Sequence, residues 1–139
     1  MEIAFYAMAA SFGMMELVEI RQMVRQRSAA SPHLPDRDAR RLLMYVFTGT
    51  RGGYTRLRMI SLLSERPFNT NQLATQMGLD YKAVQHHVAV LEKNNLVTKV
   101  GEKYGAMFHL SNYLEANILA LDDVATKLER KMISKKVYM

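Results

Sequence analysis

Four side chains within six residues could hydrogen-bond a polar surface: Lys82, Gln85, His86 and His87, in the segment DYKAVQHHVAVLEKN. An amide and an imidazole can each read a donor and an acceptor, and an ammonium can hold a phosphate as a point charge. On a wheel of 3.6 residues per turn, Val84, His87, Val88 and Leu91 share one side. Lys82, Gln85, His86, Ala89 and Lys93 share the other. One face is thus apolar, and its opposite is polar and basic, with a small residue that permits close approach. That pattern suits a helix lying in the major groove of duplex DNA, and it equally suits an ordinary amphipathic surface helix. A metal site is a poor fit. Neighbouring helical residues point about 100° apart, so His86 and His87 do not converge on one ion. His87 is expected to be a core or interface imidazole with a hydrogen-bond partner. His109 is a third imidazole, with no acidic or Cys cluster beside it.

The flanks decide how such a helix would be held. Asp80 can cap it by accepting from first-turn amides. Upstream, NTNQLATQMGLD reads as a short helix capped by Thr70 or Asn71, with Leu73, Ala74 and Met77 inward. Gly78 would end it in the left-handed conformation, and Leu79 would bury in the turn. Two helices joined by a tight Gly-containing turn make a helix-turn-helix. Downstream, Leu96 to Val100 and Ala106 to Leu110 read as short strands, with the basic loop GEKYG between them as a hairpin tip. A helix-turn-helix followed by such a hairpin is a winged helix. Phe68 to Thr70 would add a small first strand.

The run from Arg56 to Ser111, LRMISLLSERPFNTNQLATQMGLDYKAVQHHVAVLEKNNLVTKVGEKYGAMFHLS after its first residue, resembles the winged helix-turn-helix of ArsR-type transcription regulators. GTRGGYTRLRMI, LDYKAVQHH and GEKYG are further similar to archaeal winged-helix regulators, among them regulators of archaellum genes. The resemblance implies sequence-specific binding of double-stranded DNA by a homodimer, with a recognition helix in the major groove and the wing on the adjacent backbone or minor groove. Lys82, Gln85 and His86, with Tyr81 at the helix start and Ala89 as the point of approach, would face the bases and nearby phosphates. Thr70 and Asn71 would hold a phosphate, and Lys103 and Tyr104 would reach out from the wing. Many ArsR-type proteins sense metals through Cys and His. This chain has no Cys, so neither metal sensing nor a disulfide framework is expected. Asn95 stands where the family has Gly, and Asn tolerates the left-handed region better than other side chains.

Composition agrees with a globular binder. The 139 residues are 49% apolar and 23% charged, with net charge +6. Residues 36–111 carry eleven basic and six acidic groups, so the excess lies on the presumed reader. No paired carboxylates and no Ser/His/Asp set suggest an enzyme, and no cofactor or small-molecule ligand is implied.

The expected architecture is mainly α with a small β-hairpin. A winged domain at 36–111 is flanked by an apolar N-terminal helix in 1–30 and a C-terminal helix at 112–134. Ile3 to Met15 carries no charge. It reads first as a helix buried against a partner chain, then as a membrane anchor or a loose tail; a run of this length is more often buried than spanning. The helix should reach about Arg27, and SAASPHLP should follow as a linker. Asp36 or Asp38 can cap a helix through Phe47, although a strand from Leu42 is the alternative. GTRGG is a break and sharp turn; it lacks a Walker Lys, and Arg51 within it could touch the DNA backbone. In the next helix Leu57, Met59, Ile60 and Leu63 should pack inward, leaving Arg56 and Arg58 outside. Leu114, Ile118, Leu121, Ala125, Leu128 and Met132 are spaced 4, 3, 4, 3, 4, as in a heptad seam, and are expected to dimerise. A cytoplasmic location follows from the regulator reading. A protein-interaction or membrane-tethered adaptor module is the rival.

Overall fold

The computed structural model describes residues 17–30 and 33–137, the side chains of 104 and 135–137 excepted. The run Ile3 to Met15 lies outside the described residues. Helix α1 covers residues 17–30. Leu17, Ile20, Met23 and Val24 are its buried face, at the three-to-four spacing that a helix needs to bury one stripe. Arg21 on its flank donates to Glu129 through two nitrogens, at 3.1 and 3.0 Å, and to Thr126 at 2.9 Å. The helix thus runs three residues beyond Arg27, into the expected linker.

Asp36 caps α2 (Arg37–Thr48), accepting from the Ala39 amide at 2.7 Å. The apolar run Leu42 to Phe47 is therefore helical, with Leu43, Val46 and Phe47 buried. Gly49 to Gly52 turns the chain sharply into α3 (Gly53–Glu65). Gly52 has a φ of 81°, and a Cβ on Gly53 would stand 2.2 Å from the Phe47 carbonyl oxygen. Only glycine lets the end of α2 and the start of α3 approach this closely.

Helix α4 (Thr70–Met77) is capped by Asn69, not by Thr70 or Asn71. Asn69 accepts from the Gln72 amide at 2.7 Å, and the Gln72 side chain accepts from the Asn69 amide at 2.9 Å. This capping box commits Thr70 to the helix. The expected strand from Phe68 to Thr70 is reduced to a single bridge, Phe68 to Phe108. Gly78 ends α4 with a φ of 65°, Leu79 packs against the core, and Asp80 caps α5 (Tyr81–Lys93). Strands β1 (Val97–Val100) and β2 (Met107–Leu110) pair antiparallel, with Val97 opposite Leu110 and Val100 opposite Met107. Asn95 takes the left-handed turn before β1, at a φ of 59°. These elements make a mainly helical winged helix-turn-helix with a two-stranded wing.

The expected continuous C-terminal helix is two helices, α6 (Asn112–Ala116) and α7 (Ala120–Val137). The heptad seam needs a correction. Leu114, Leu121 and Ala125 are fully buried, Ile118 and Leu128 nearly so, and Met132 packs against the same cluster. This face lies on the chain's own core, largely against α2, so it offers nothing to a second copy. Heptad spacing reports that one side of a helix is apolar, and an internal neighbour satisfies it as well as a twin does. One apolar cluster runs from Leu17 to Leu128, across the expected boundaries. Each fully buried Leu in it is worth roughly 1.5–3 kcal/mol.

Candidate nucleic-acid interface

Helix α5 is oriented from below by Val84, Val88 and Leu91, all buried. Its opposite side is bare: Lys82, Gln85, His86, Ala89 and Lys93 are exposed, and Tyr81 is exposed at the first turn. None of the described terminal segments covers Gln85 or His86. Asp80 accepts from the Ala83 amide at 2.7 Å and fixes where the helix starts.

The other expected contacts are distributed around this helix. Asn71 is exposed and Thr70 half-buried at the start of α4, which packs directly on α5. The capping box occupies the amides of Asn69 and Gln72, so those of Thr70 and Asn71 lie outside it. Lys103 is exposed at the wing tip, in a short 3-10 turn where its φ is 54°. The side chain of Tyr104 lies outside the described residues. Arg51 is exposed in the turn between α2 and α3. That turn touches α5, because a Cβ on Gly52 would come within 2.5 Å of His87 Cε1.

Arg56 is the second correction. It was expected outside, yet only 2% of it is exposed. Its Nη2 donates to the Val46 carbonyl at 3.2 Å, to the Arg51 carbonyl at 3.0 Å and to Thr50 Oγ1. Its Nη1 meets His87 Nδ1 at 3.1 Å. A guanidinium has no lone pair, so the imidazole nitrogen must accept. Burial lowers the Arg56 pKa from its ordinary value, though guanidinium stays charged at any physiological pH. A sequence signal existed: Arg56, Met59, Ile60 and Leu63 follow the i, i+3, i+4, i+7 spacing of one helix face. The capping box was legible too, as Asn69 followed three residues later by Gln72.

His87 is half-buried and finds the hydrogen-bond partner expected for it. Its pKa is lowered, first by burial, then by Arg56 and His86. The His86 and His87 rings lie 5.6 Å apart at 59°. His109 Nδ1 donates to the Leu110 carbonyl at 3.0 Å. Arg66 stacks 4.0 Å over the Phe68 ring. Among the described residues no helix is long and apolar enough to cross a membrane.

Residues 54–99 match the model of the bacterial regulatory protein arsR family, about a third of the chain. The matched stretch runs from α3 through α4 and α5 into β1, so it contains the helix-turn-helix. Among solved structures, the chain is similar to reduced HlyU from Vibrio cholerae N16961, at 19% identity and a TM-score of 0.48, over 66% of this chain and 90% of that one. No curated protein matches the chain at a significant level.

Proposed function

We propose that this chain is a DNA-binding transcription regulator that reads duplex DNA with the outer side of α5. The observation that carries this reading is the bare polar and basic side of that helix, held out by a buried apolar side and preceded by the Gly78 turn. The arsR-family match over the same helices supports it. In this reading Lys82, Gln85 and His86 face base edges and adjacent phosphates, and Tyr81 borders the groove. Ala89 lets the helix approach closely. Thr70 and Asn71 hold a phosphate from the start of α4. Arg51 and Lys103 contact the backbone on either side, and Tyr104 belongs to the same wing contact.

A homodimer is part of the proposal, because paired half-sites raise affinity and match the two-fold symmetry of most helix-turn-helix operators. Its interface lies elsewhere than the residue 114–132 seam. Sedimentation across a concentration series tests it. The narrower likeness to archaeal archaellum-gene regulators rests on GTRGGYTRLRMI, LDYKAVQHH and GEKYG alone.

Gel retardation of promoter fragments against competitor DNA tests the reading. Gln85→Ala or His86→Ala should weaken the cognate complex by about 1–3 kcal/mol and the random-sequence complex by less. Equal losses on both would remove these two residues from base readout. Salt-insensitive or absent shifts would favour an adaptor that docks on protein.

A further inference from the structure

Arg56 is the one charged side chain in the buried class among the described residues, and no described carboxylate pairs with it. Leaving a cation under a helix without a counter-ion is costly, and the arrangement is tolerated because four acceptors surround it. One of those acceptors is His87 on α5. Since Nδ1 accepts from Arg56, the proton of the neutral ring sits on Nε2. Gly52 closes on the ring edge, so the imidazole is gripped between α3 and the turn. Nε2 meets no hydrogen-bond partner among the described residues, and it is not among the sealed polar atoms. His87 therefore presents an oriented N–H at the flank of the α5 face, next to exposed His86.

We propose that His87 is a DNA-backbone contact, a neutral Nε2–H donor to a phosphate oxygen beside the groove that α5 enters, and that Arg56 is the positioning residue that fixes its tautomer. The proposal rests on the DNA-binding reading and adds to it a residue that periodicity assigns to the core. The charged and titratable groups acting on the ring are Arg56 from α3 and His86 from its own helix. Both disfavour a second proton, so the donor is the uncharged ring. A neutral donor releases no counter-ion, so its loss should change affinity without changing the salt slope, unlike the loss of a lysine.

The test uses the full chain with ring-labelled histidine and a short duplex of arbitrary sequence, because a phosphate contact does not depend on sequence. Long-range proton–nitrogen spectra of the free protein should show His87 protonated at Nε2 alone, and duplex should move that resonance. In Arg56→Met the ring should become a mixture of tautomers. His87→Gln keeps an N–H near the Nε2 position and should bind within about twofold of the parent, whereas His87→Asn, too short to reach, should bind about five- to tenfold more weakly at an unchanged salt slope. Parental affinity of His87→Asn, or an Nε2 resonance that ignores duplex, overturns the phosphate contact. A ring protonated at Nδ1 overturns the role of Arg56, and the parent spectrum decides this even if Arg56→Met does not fold. Failure of the parent chain to bind any duplex at low salt overturns the DNA reading itself, while the free-protein tautomer is still decided independently.

Discussion

Arg56→Ala is the perturbation whose size the structure allows to be worked out. Four hydrogen bonds disappear, but their acceptors are not equally stranded. The Val46 carbonyl keeps a bond from Thr50 Oγ1 at 3.0 Å. The Arg51 carbonyl lies in an exposed turn where water can replace the guanidinium. His87 Nδ1 loses most, at roughly 1–3 kcal/mol for a buried group left unpaired, while the half-buried Thr50 hydroxyl keeps its own bond to the Val46 carbonyl. The apolar stem is buried as well, and its methylenes are worth roughly 0.8 kcal/mol each. Against these losses stands the relief of an uncompensated charge and of Nε, which has no partner among the described residues. The net expectation is about 2–4 kcal/mol of destabilisation for Ala, and about 1–2 kcal/mol less for Met, which keeps the stem. Urea unfolding followed by circular dichroism measures both. A cycle with Thr50→Val should show a coupling above about 0.5 kcal/mol. If Arg56→Ala moved the midpoint by less than the equivalent of about 0.5 kcal/mol, Arg56 would not be the tie between the turn and α5.

Four other outcomes are expected. Leu121→Ala should cost about 2–5 kcal/mol, and the loss should be the same at every protein concentration; a concentration-dependent loss would return the seam to a dimer interface. Asn69→Ala removes the side-chain arm of the capping box, leaving the backbone amide of residue 69 free to donate to Gln72, and should cost about 1 kcal/mol in chemical denaturation, with no change expected in the other helices. His87 has a folded pKa below its unfolded value, so the unfolded chain takes up the proton first; stability should fall as pH drops below the ordinary value of 6.5, and in His87→Gln that part of the pH dependence should vanish. Lys103→Ala should weaken binding to all duplexes and reduce the salt slope by about one unit; an unchanged slope would take the wing tip off the phosphates.

Local chemistry made much of this fold legible. Asp80, Gly78, Asn95 and the inward set Val84, Val88 and Leu91 each act through a cap, a left-handed turn or a 3.6-residue period, and each takes the expected place. The apolar stretch Leu42 to Phe47 was ambiguous by period, and the Asp36 cap resolves it as helix. What the sequence hid was the choice of partner. An apolar stripe at 114–132 states that something covers it, and only the folded chain shows that α2 does. Arg56 hid for a related reason. Its charge argues for solvent, and the acceptors that overrule this are carbonyls and a hydroxyl from residues 46–51, which every sequence carries in some form. At the interface the polar side of α5 could be named in advance. That His87 is tethered depends on the Arg56 guanidinium of α3 reaching its ring, a tertiary fact.

Because α1, α2 and α7 share one oil-filled interior with the reading helices, the stretch matched by the arsR model is not a detachable cassette. Cut out at residues 54 and 99, it would leave α3 without the apolar neighbours that α2 supplies, and β1 without its mate. Chimeras that swap binding specificity should therefore replace surface letters on α5 in place and leave the surrounding scaffold whole.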